Sequence, residues 1–402
     1  MKILHTSDWH LGHTLNGFDR ANEHARFLGW LIERLEEEQV DALLIAGDIF
    51  DQANPSSIAQ QQYYDFLDAA AARCPGLQIV VVGGNHDSAG RLDAPASFLR
   101  RRKVHVVGAI TRQADGSIDA SRLLVELLDR AGRRGAIVAA VPFLRRCDLP
   151  PECGDDHVAA TKSVYGEICA AAKARLGKGE ALIATGHLYM VGGQVSEDSE
   201  RKVQVGNQQA VPVGLFGKEL AYVALGHLHL AQAVGGRENV RYSGSPLPLS
   251  MAEQGYQHEV RLLTIDKGRV KEQRALAVPR VVELLQLKAT SKKELEQHLA
   301  RFSAATPVVE RPFVEVTFER EGAQPSLRAE VLKLVEGRGV RLVSLRMPVK
   351  GDGATLADAL GGQGLSDLQP ENVFSSMFER EFKRPPGAAL LAVFHQLLED
   401  AQ

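Results

Sequence analysis

The chain has 402 residues, 45% of them hydrophobic and 24% charged, with a formal net charge of −3. That is enough apolar material for two or three domains with full cores, and the near-neutral balance argues against a generally basic protein that coats nucleic acid. No run of eighteen apolar residues is present and Asp8 falls where a signal peptide would need apolar residues, so a cytoplasmic protein without a membrane partner is expected.

In chain order, five apolar, β-prone runs read as strands buried on both faces, at 2–6, 42–46, 79–82, 181–185 and 221–225. Each is followed at once by a polar motif: Asp8-Trp9-His10, Gly47-Asp48-Ile49-Phe50-Asp51, Gly84-Asn85-His86-Asp87, Gly186-His187 and Gly226-His227-Leu228-His229. Ligands of open α/β sheets gather beyond the carboxyl ends of the strands, so the five motifs are expected to converge. Between them, 60–72 and 92–99 read as helices; Tyr63, Tyr64, Phe66 and Leu67 on the first suit either internal core or an interface. Arg100 to Lys103 lies between a helical pattern and an extended one, where positive charge favours a helix C-terminus. Arg133-Arg134 and Arg145-Arg146 could touch phosphate or simply be solvated. Cys74, Cys147, Cys153 and Cys169 form no Cys-x-x-Cys pair, which points to reduced, structural thiols.

Further on, a strand at 280–287 leads into Ser291-Lys292-Lys293-Glu294, a capping box opening a helix to about residue 302. A strand around Phe313, Glu315, Thr317 and Arg320, a helix at 327–335 and a strand at 340–346 complete a β-α-β-α-β module. Five glycines between 350 and 364 mark a flexible linker. Beyond it, Pro370 and Glu371 open a helix with an apolar face of Val373, Phe374, Met377, Phe378 and Phe382; Pro385-Pro386-Gly387 ends it, and Leu390, Leu391, Phe394, Leu397 and Leu398 repeat the stripe. Such a hairpin has little core of its own, so a partner groove is the expected cover, with docking on the same chain as the other choice.

The motif residues combine imidazole, carboxylate and amide oxygen, a donor set for Mn, Fe or Zn rather than for an all-oxygen calcium cage. If the segments are extended, Asp8 pairs with His10 and His227 with His229 on one side of the chain. His86, beside Asn85, suits phosphate orientation and leaving-group protonation, since imidazole titrates near ~6.5. Asp51 and Asp87 could orient ligand imidazoles or act as turn and helix caps, and His13 has no assigned role.

With Leu4-His5-Thr6-Ser7-Asp8-Trp9-His10-Leu11-Gly12, Gly84-Asn85-His86-Asp87-Ser88, Thr185-Gly186-His187 and Tyr242-Ser243-Gly244-Ser245-Pro246, the sequence resembles the calcineurin-like metallophosphoesterases, and among them the SbcD family. The resemblance implies an α/β fold: a four-layer β-sandwich flanked by helices, with a small α+β capping domain and a C-terminal helical hairpin. The implied domains are a nuclease domain at 1–275, a DNA-binding capping domain at 276–349, the Gly-rich linker at 350–365 and a hairpin at 366–402 that binds the SbcC ATPase. It implies two Mn2+ ions, or Mg2+ or other divalent metals, one held by Asp8, His10, Asp48 and His229 and the other by Asp48, Asn85, His187 and His227, with His86 catalytic. It further implies ATP-dependent 3′–5′ exonuclease and hairpin endonuclease action on DNA, a homodimer at 60–72 and 92–99 within an assembly of two SbcD-type and two SbcC-type chains, and a place at the nucleoid. The chain has no Gly-x-x-x-x-Gly-Lys-Ser/Thr loop, so ATP hydrolysis is assigned to the partner.

Two other readings differ in kind. A cyclic-nucleotide phosphodiesterase or protein phosphatase would share all five motifs, but has no use for the 280–346 module and the terminal hairpin. A DNA-tethering scaffold would have no use for a complete ligand set with His86.

Overall fold

A computed structural model describes residues 1–194, 210–320, 326–348 and 370–399. The chain forms two compact units, 1–282 and 283–402.

The first unit is built on two six-stranded sheets. In one, the order is Arg269–Ala277, Glu259–Asp266, Lys2–Thr6, Ala42–Ala46, Gln78–Val82 and Val104–Val107, the last four running parallel. In the other it is Gln232–Val234, Arg237–Tyr242, Tyr222–Gly226, Ala181–His187, Arg134–Ala139 and Leu124–Leu128, with four parallel strands in the middle. The predicted strands are present, shifted by a residue or two at some ends.

Side-chain alternation explains the layering. Ile3, Ala42, Leu44 and Val80 of the first sheet share a core with Ile137, Ile183 and Val223 of the second. The intervening residues Leu4, Leu43, Ile45, Ile79 and Val81 turn outward, onto Phe27, Leu31 and Leu35 of helix Ala21–Glu37 and Tyr63, Phe66 and Leu67 of helix Ser57–Arg73. Helix His157–Arg175 covers the second sheet through Val164, Ile168 and Ala172, and the Tyr165 hydroxyl donates to Thr185 O. Helix, sheet, sheet and helix therefore stack as four layers.

This arrangement places three of the four side chains singled out on the helix at 60–72 in the core. Tyr63, Phe66 and Leu67 are core, while Tyr64 keeps an exposed edge. Helix 92–99 is in fact two short helices, Ala89–Asp93 and Ala96–Arg100, because Pro95 has no N–H to continue the helical hydrogen bonds and itself leaves helical geometry, with ψ 2°. Each basic cluster has a member in an ion pair: Arg102 with Asp68, Arg133 with Asp129, Arg134 with Glu126 and Glu180, and Arg146 with Asp155. The four cysteines are unpaired thiols.

In the second unit, Leu284–Ala289, Phe313–Phe318 and Arg341–Arg346 form a three-stranded parallel sheet in chain order. Its first strand starts later than residue 280, since the Arg280 guanidinium donates to Gln254 O and Tyr256 O and holds that residue to the first unit's own chain. Helix Lys292–Leu299 begins as its capping box predicts at one end only: Ser291 accepts from Glu294 N, but the Glu294 carboxylate accepts from Thr290 rather than Ser291. The helix also stops at Leu299, three residues short of the expected end. Leu295, Leu299, Leu327, Val331 and Val335 pack on Leu287, Val314 and Val316. The predicted linker at 350–365 lies outside the described residues. Helices Pro370–Phe382 and Ala388–Glu399 follow, joined through a stack of Phe374 on Phe394 with ring centroids 4.2 Å apart.

Candidate metal centre

The parallel strands deliver their motifs to one end of the sandwich, and the connecting loops pair beyond it. Asp8 N donates to Gly47 O, His10 N to Asp48 O and Leu11 N to Ile49 O, so the first two loops continue the pairing of their strands. They do so with a turned backbone. Asp8, His10 and Asp48 have φ values of 53°, 46° and 50°, and His227 has 109°. The expectation that Asp8 and His10, and His227 and His229, pair by strand alternation is therefore corrected. Left-handed turns aim these side chains, at a cost of order 1–3 kcal/mol each that the surrounding contacts must offset. Two glycines make room. A Cβ on Gly84 would overlap the Asp48 carboxylate, and one on Gly47, which has φ 94°, would overlap the His187 ring.

Three groups of ligand atoms each lie within 4.8 Å of one another: Asp8, His10 and His229; Asp8, Asp48 and His187; and His10, Asp48 and His86. Asn85 joins them, its Oδ1 lying 2.9 Å from His187 Nε2 and 3.1 Å from His227 Nδ1. All seven predicted ligands and His86 thus come together, and Asp48 sits between the two halves, 3.6 Å from His10 Nε2 and 3.2 Å from His187 Nε2.

The imidazoles are oriented from behind. His10 Nδ1 donates to Asp51 Oδ1 at 3.2 Å, His229 Nδ1 to Glu253 Oε1 at 2.9 Å, and His187 Nδ1 to Ala46 O at 2.9 Å. His86 Nδ1 donates to Asp51 O at 2.8 Å, which leaves Nε2 as its free nitrogen. Asp51 therefore serves two histidines. Asp87, by contrast, ties loops together: it accepts from Ile49 N, Phe50 N and Gly84 N. Burial and the nearby Asp48 push Asp87 up to about 6, against those three donors. His13 is drawn down to about 3 by burial.

Three supporting groups lie outside the five strand-end motifs. Glu253 lies in the short helix Met251–Gly255, outside every motif. Ser243 contacts the Ser7 hydroxyl at 2.7 Å, and Ser7 donates to Asp8. Arg145 Nη2 donates to Asp87 O, which places one guanidinium of the basic clusters beside the Asn85-His86 turn.

Does this donor set fit divalent cations? His10 Nε2 is buried without a hydrogen-bond partner, facing a carboxylate. Lone pairs of nitrogen and oxygen aimed at one another repel unless a cation or proton lies between them. For His187 a proton does: burial opposes it, but the Asp48 charge prevails and raises the imidazole to about 9, while Asp48 itself is held well below the carboxylate range despite its burial. His227 is instead lowered to about 3, chiefly by burial and then by His187. An entering cation would displace the His187 proton, so metal uptake near pH 7 is coupled to proton release. The donor set fits two divalent ions, which when bound polarise a phosphoryl oxygen and make coordinated water more acidic.

The sequence pattern of the calcineurin-like phosphoesterases matches residues 1–231, and that of the Type 5 capsule protein repressor C-terminal domain matches 280–382. The curated SbcD protein of the nuclease SbcCD from Rhodobacter capsulatus is 41% identical, over 94% of both chains. The chain belongs to the SbcD family of calcineurin-like phosphoesterases. Within this SbcD family, the protein of Escherichia coli K12 is 32% identical over 93% of this chain and 92% of its own, and that of Bacillus subtilis 34% over 67% of each. For an SbcD-family phosphoesterase, the half-exposed Asn85 and His86 mark the side from which a phosphodiester would approach.

Proposed function

We propose that this chain is the nuclease subunit of an SbcCD-type complex, hydrolysing DNA phosphodiester bonds with two divalent ions, Mn2+ being the preferred one. The observation that carries this reading is the convergence of seven ligand-type side chains and His86 at one end of the sandwich, in a chain 41% identical to an SbcD protein. Asp8, His10, Asp48 and His229 would hold one ion, and Asp48, Asn85, His187 and His227 the other. Asp51 and Glu253 keep His10 and His229 pointed inward, and His86 Nε2 is placed to give a proton to the leaving oxygen.

The reading extends to the domains. Residues 1–275 act as the nuclease, 276–349 as a capping domain beside DNA, 350–365 as a linker and 366–402 as the hairpin that binds the SbcC ATPase. Exposure of Met377, Phe382, Leu390 and Val393 on that hairpin supports the last assignment, since apolar surface of this kind is normally covered. Two copies of the chain would pair in the complex, acting on 3′ ends and hairpins of DNA in the cytoplasm. Among the described residues, no helix is long and apolar enough to cross a membrane.

Deleting 366–402 tests the partner assignment. Mn-dependent hydrolysis of a simple aryl phosphodiester is expected to persist within about twofold of the full chain, while ATP-stimulated cleavage of duplex DNA with the coiled-coil ATPase is lost. Stimulation that survives the deletion removes the hairpin from this role.

A further inference from the structure

Glu253 is fully buried, on a single turn that no motif marks. One carboxylate oxygen accepts the Leu249 N–H at 2.7 Å, which fixes the group, and the other accepts from His229 Nδ1 at 2.9 Å. The second bond decides the tautomer: with its proton on Nδ1, His229 presents Nε2 to Asp8 and His10. We propose that Glu253 is a positioning residue for one cation, the ion shared by Asp8, His10 and His229. The proposal rests on the two-cation reading of the site.

A carboxylate behind an imidazole does more than hold it. It makes the ligand nitrogen more basic and so strengthens its bond to the metal. His10 has the same kind of support from Asp51, whereas His187 is backed by the neutral Ala46 carbonyl. Both imidazoles of one half of the centre are thus carboxylate-backed. Removing the Glu253 charge acts on that half, leaving the ion near Asn85, His187 and His227 unchanged.

The test is calorimetric titration of metal-stripped full-length protein with Mn2+, comparing the wild type with Glu253→Gln. Glutamine keeps the size of the side chain and can still accept from Leu249 N, while its amide no longer offers His229 a charged acceptor. Two ions are expected in the wild type; in the variant one binds as before and the other roughly 10–100-fold more weakly. The metal-free melting temperatures are expected to match, with only the metal-induced rise reduced. Equal affinities for both ions in the two proteins overturn the proposal, as does a lower metal-free melting temperature with unchanged affinities, which would make Glu253 merely structural. A wild type that takes up fewer than two ions overturns the two-cation reading itself, and Glu253 falls with it. If Glu253→Gln does not fold, Glu253→Asp serves, its carboxylate one methylene short of His229. Severalfold weakening of the same single ion supports the assignment, and unchanged binding overturns it.

Discussion

Asp48→Asn is expected to abolish phosphodiester cleavage, by about 10³-fold or more, the rate equivalent of several kcal/mol of lost metal assistance. Asp48 is the carboxylate between the two halves of the centre, within 3.6 Å of His10 Nε2 and 3.2 Å of His187 Nε2. Its other oxygen accepts from His86 N at 2.9 Å, a bond an asparagine oxygen can keep, so the loop need not collapse. What goes is the charge that serves two cations. Titration with Mn2+ checks this: both ions are expected to bind more weakly, and loss of only one would make Asp48 an ordinary ligand of a single site.

The same variant has a signature without metal. His187 titrates at about 9 in the folded protein because the Asp48 charge outweighs the effect of burial, against an ordinary value near ~6.5. A raised pKa contributes stability that is fully present below the unfolded value and is lost as pH rises through the folded one. Metal-stripped wild type is therefore expected to exceed Asp48→Asn in stability at pH 6, on the order of 3 kcal/mol, with the gap closing as the pH passes about 9. Urea unfolding in chelator at the two pH values reads it directly. A gap that widens with pH has the wrong sign for this pairing.

The second large effect is expected at His86. His86→Ala is predicted to keep both ions and lose about 10²–10⁴-fold in cleavage, the span of general acid–base assistance. The geometry is specific. Nδ1 is committed to Asp51 O at 2.8 Å, and the ring stands edge-on to His10 with centroids 4.9 Å apart, so the free Nε2 lies at the ligand cluster. An activated aryl ester, whose leaving group needs no proton, is expected to lose far less than a DNA phosphodiester. Comparing the two substrates separates proton donation from substrate orientation. Loss of one ion in His86→Ala would instead make the residue a ligand.

Much of this centre is legible in the sequence because each half of the signal is local. A run such as 42–46, Ala-Leu-Leu-Ile-Ala, is buried whichever way its side chains point, and the Gly47-Asp48 that follows ends it abruptly. The five motifs can therefore be picked out from strand ends and residue chemistry, while the choice of seven ligands among their residues is what the family resemblance implies. How the side chains are aimed cannot be picked out in this way. Period-two alternation predicts shared sides for Asp8 and His10, but local sterics yield to tertiary contacts, and left-handed turns do the aiming. Glu253 is invisible in the sequence, and the role of Ser243 within its Tyr242–Pro246 stretch is not legible there, because a buried supporting group is defined by what it meets in space: Glu253 meets His229, and Ser243 meets Ser7 across 236 positions of chain. The basic clusters stay open in the sequence for the same reason. The partners of Arg102 and Arg134, Asp68 and Glu180, come from elsewhere in the sequence.

The convergent motifs are expected to cleave DNA. The most direct measurement is cleavage of an end-labelled DNA hairpin with Mn2+, by the full chain alone and with its coiled-coil ATPase and ATP, beside a cyclic-nucleotide control. Hairpin opening that grows on adding the ATPase and ATP, with the cyclic nucleotide untouched, is the predicted result. Turnover of the cyclic nucleotide with the hairpin left intact would contradict it and make the chain a small-substrate phosphoesterase.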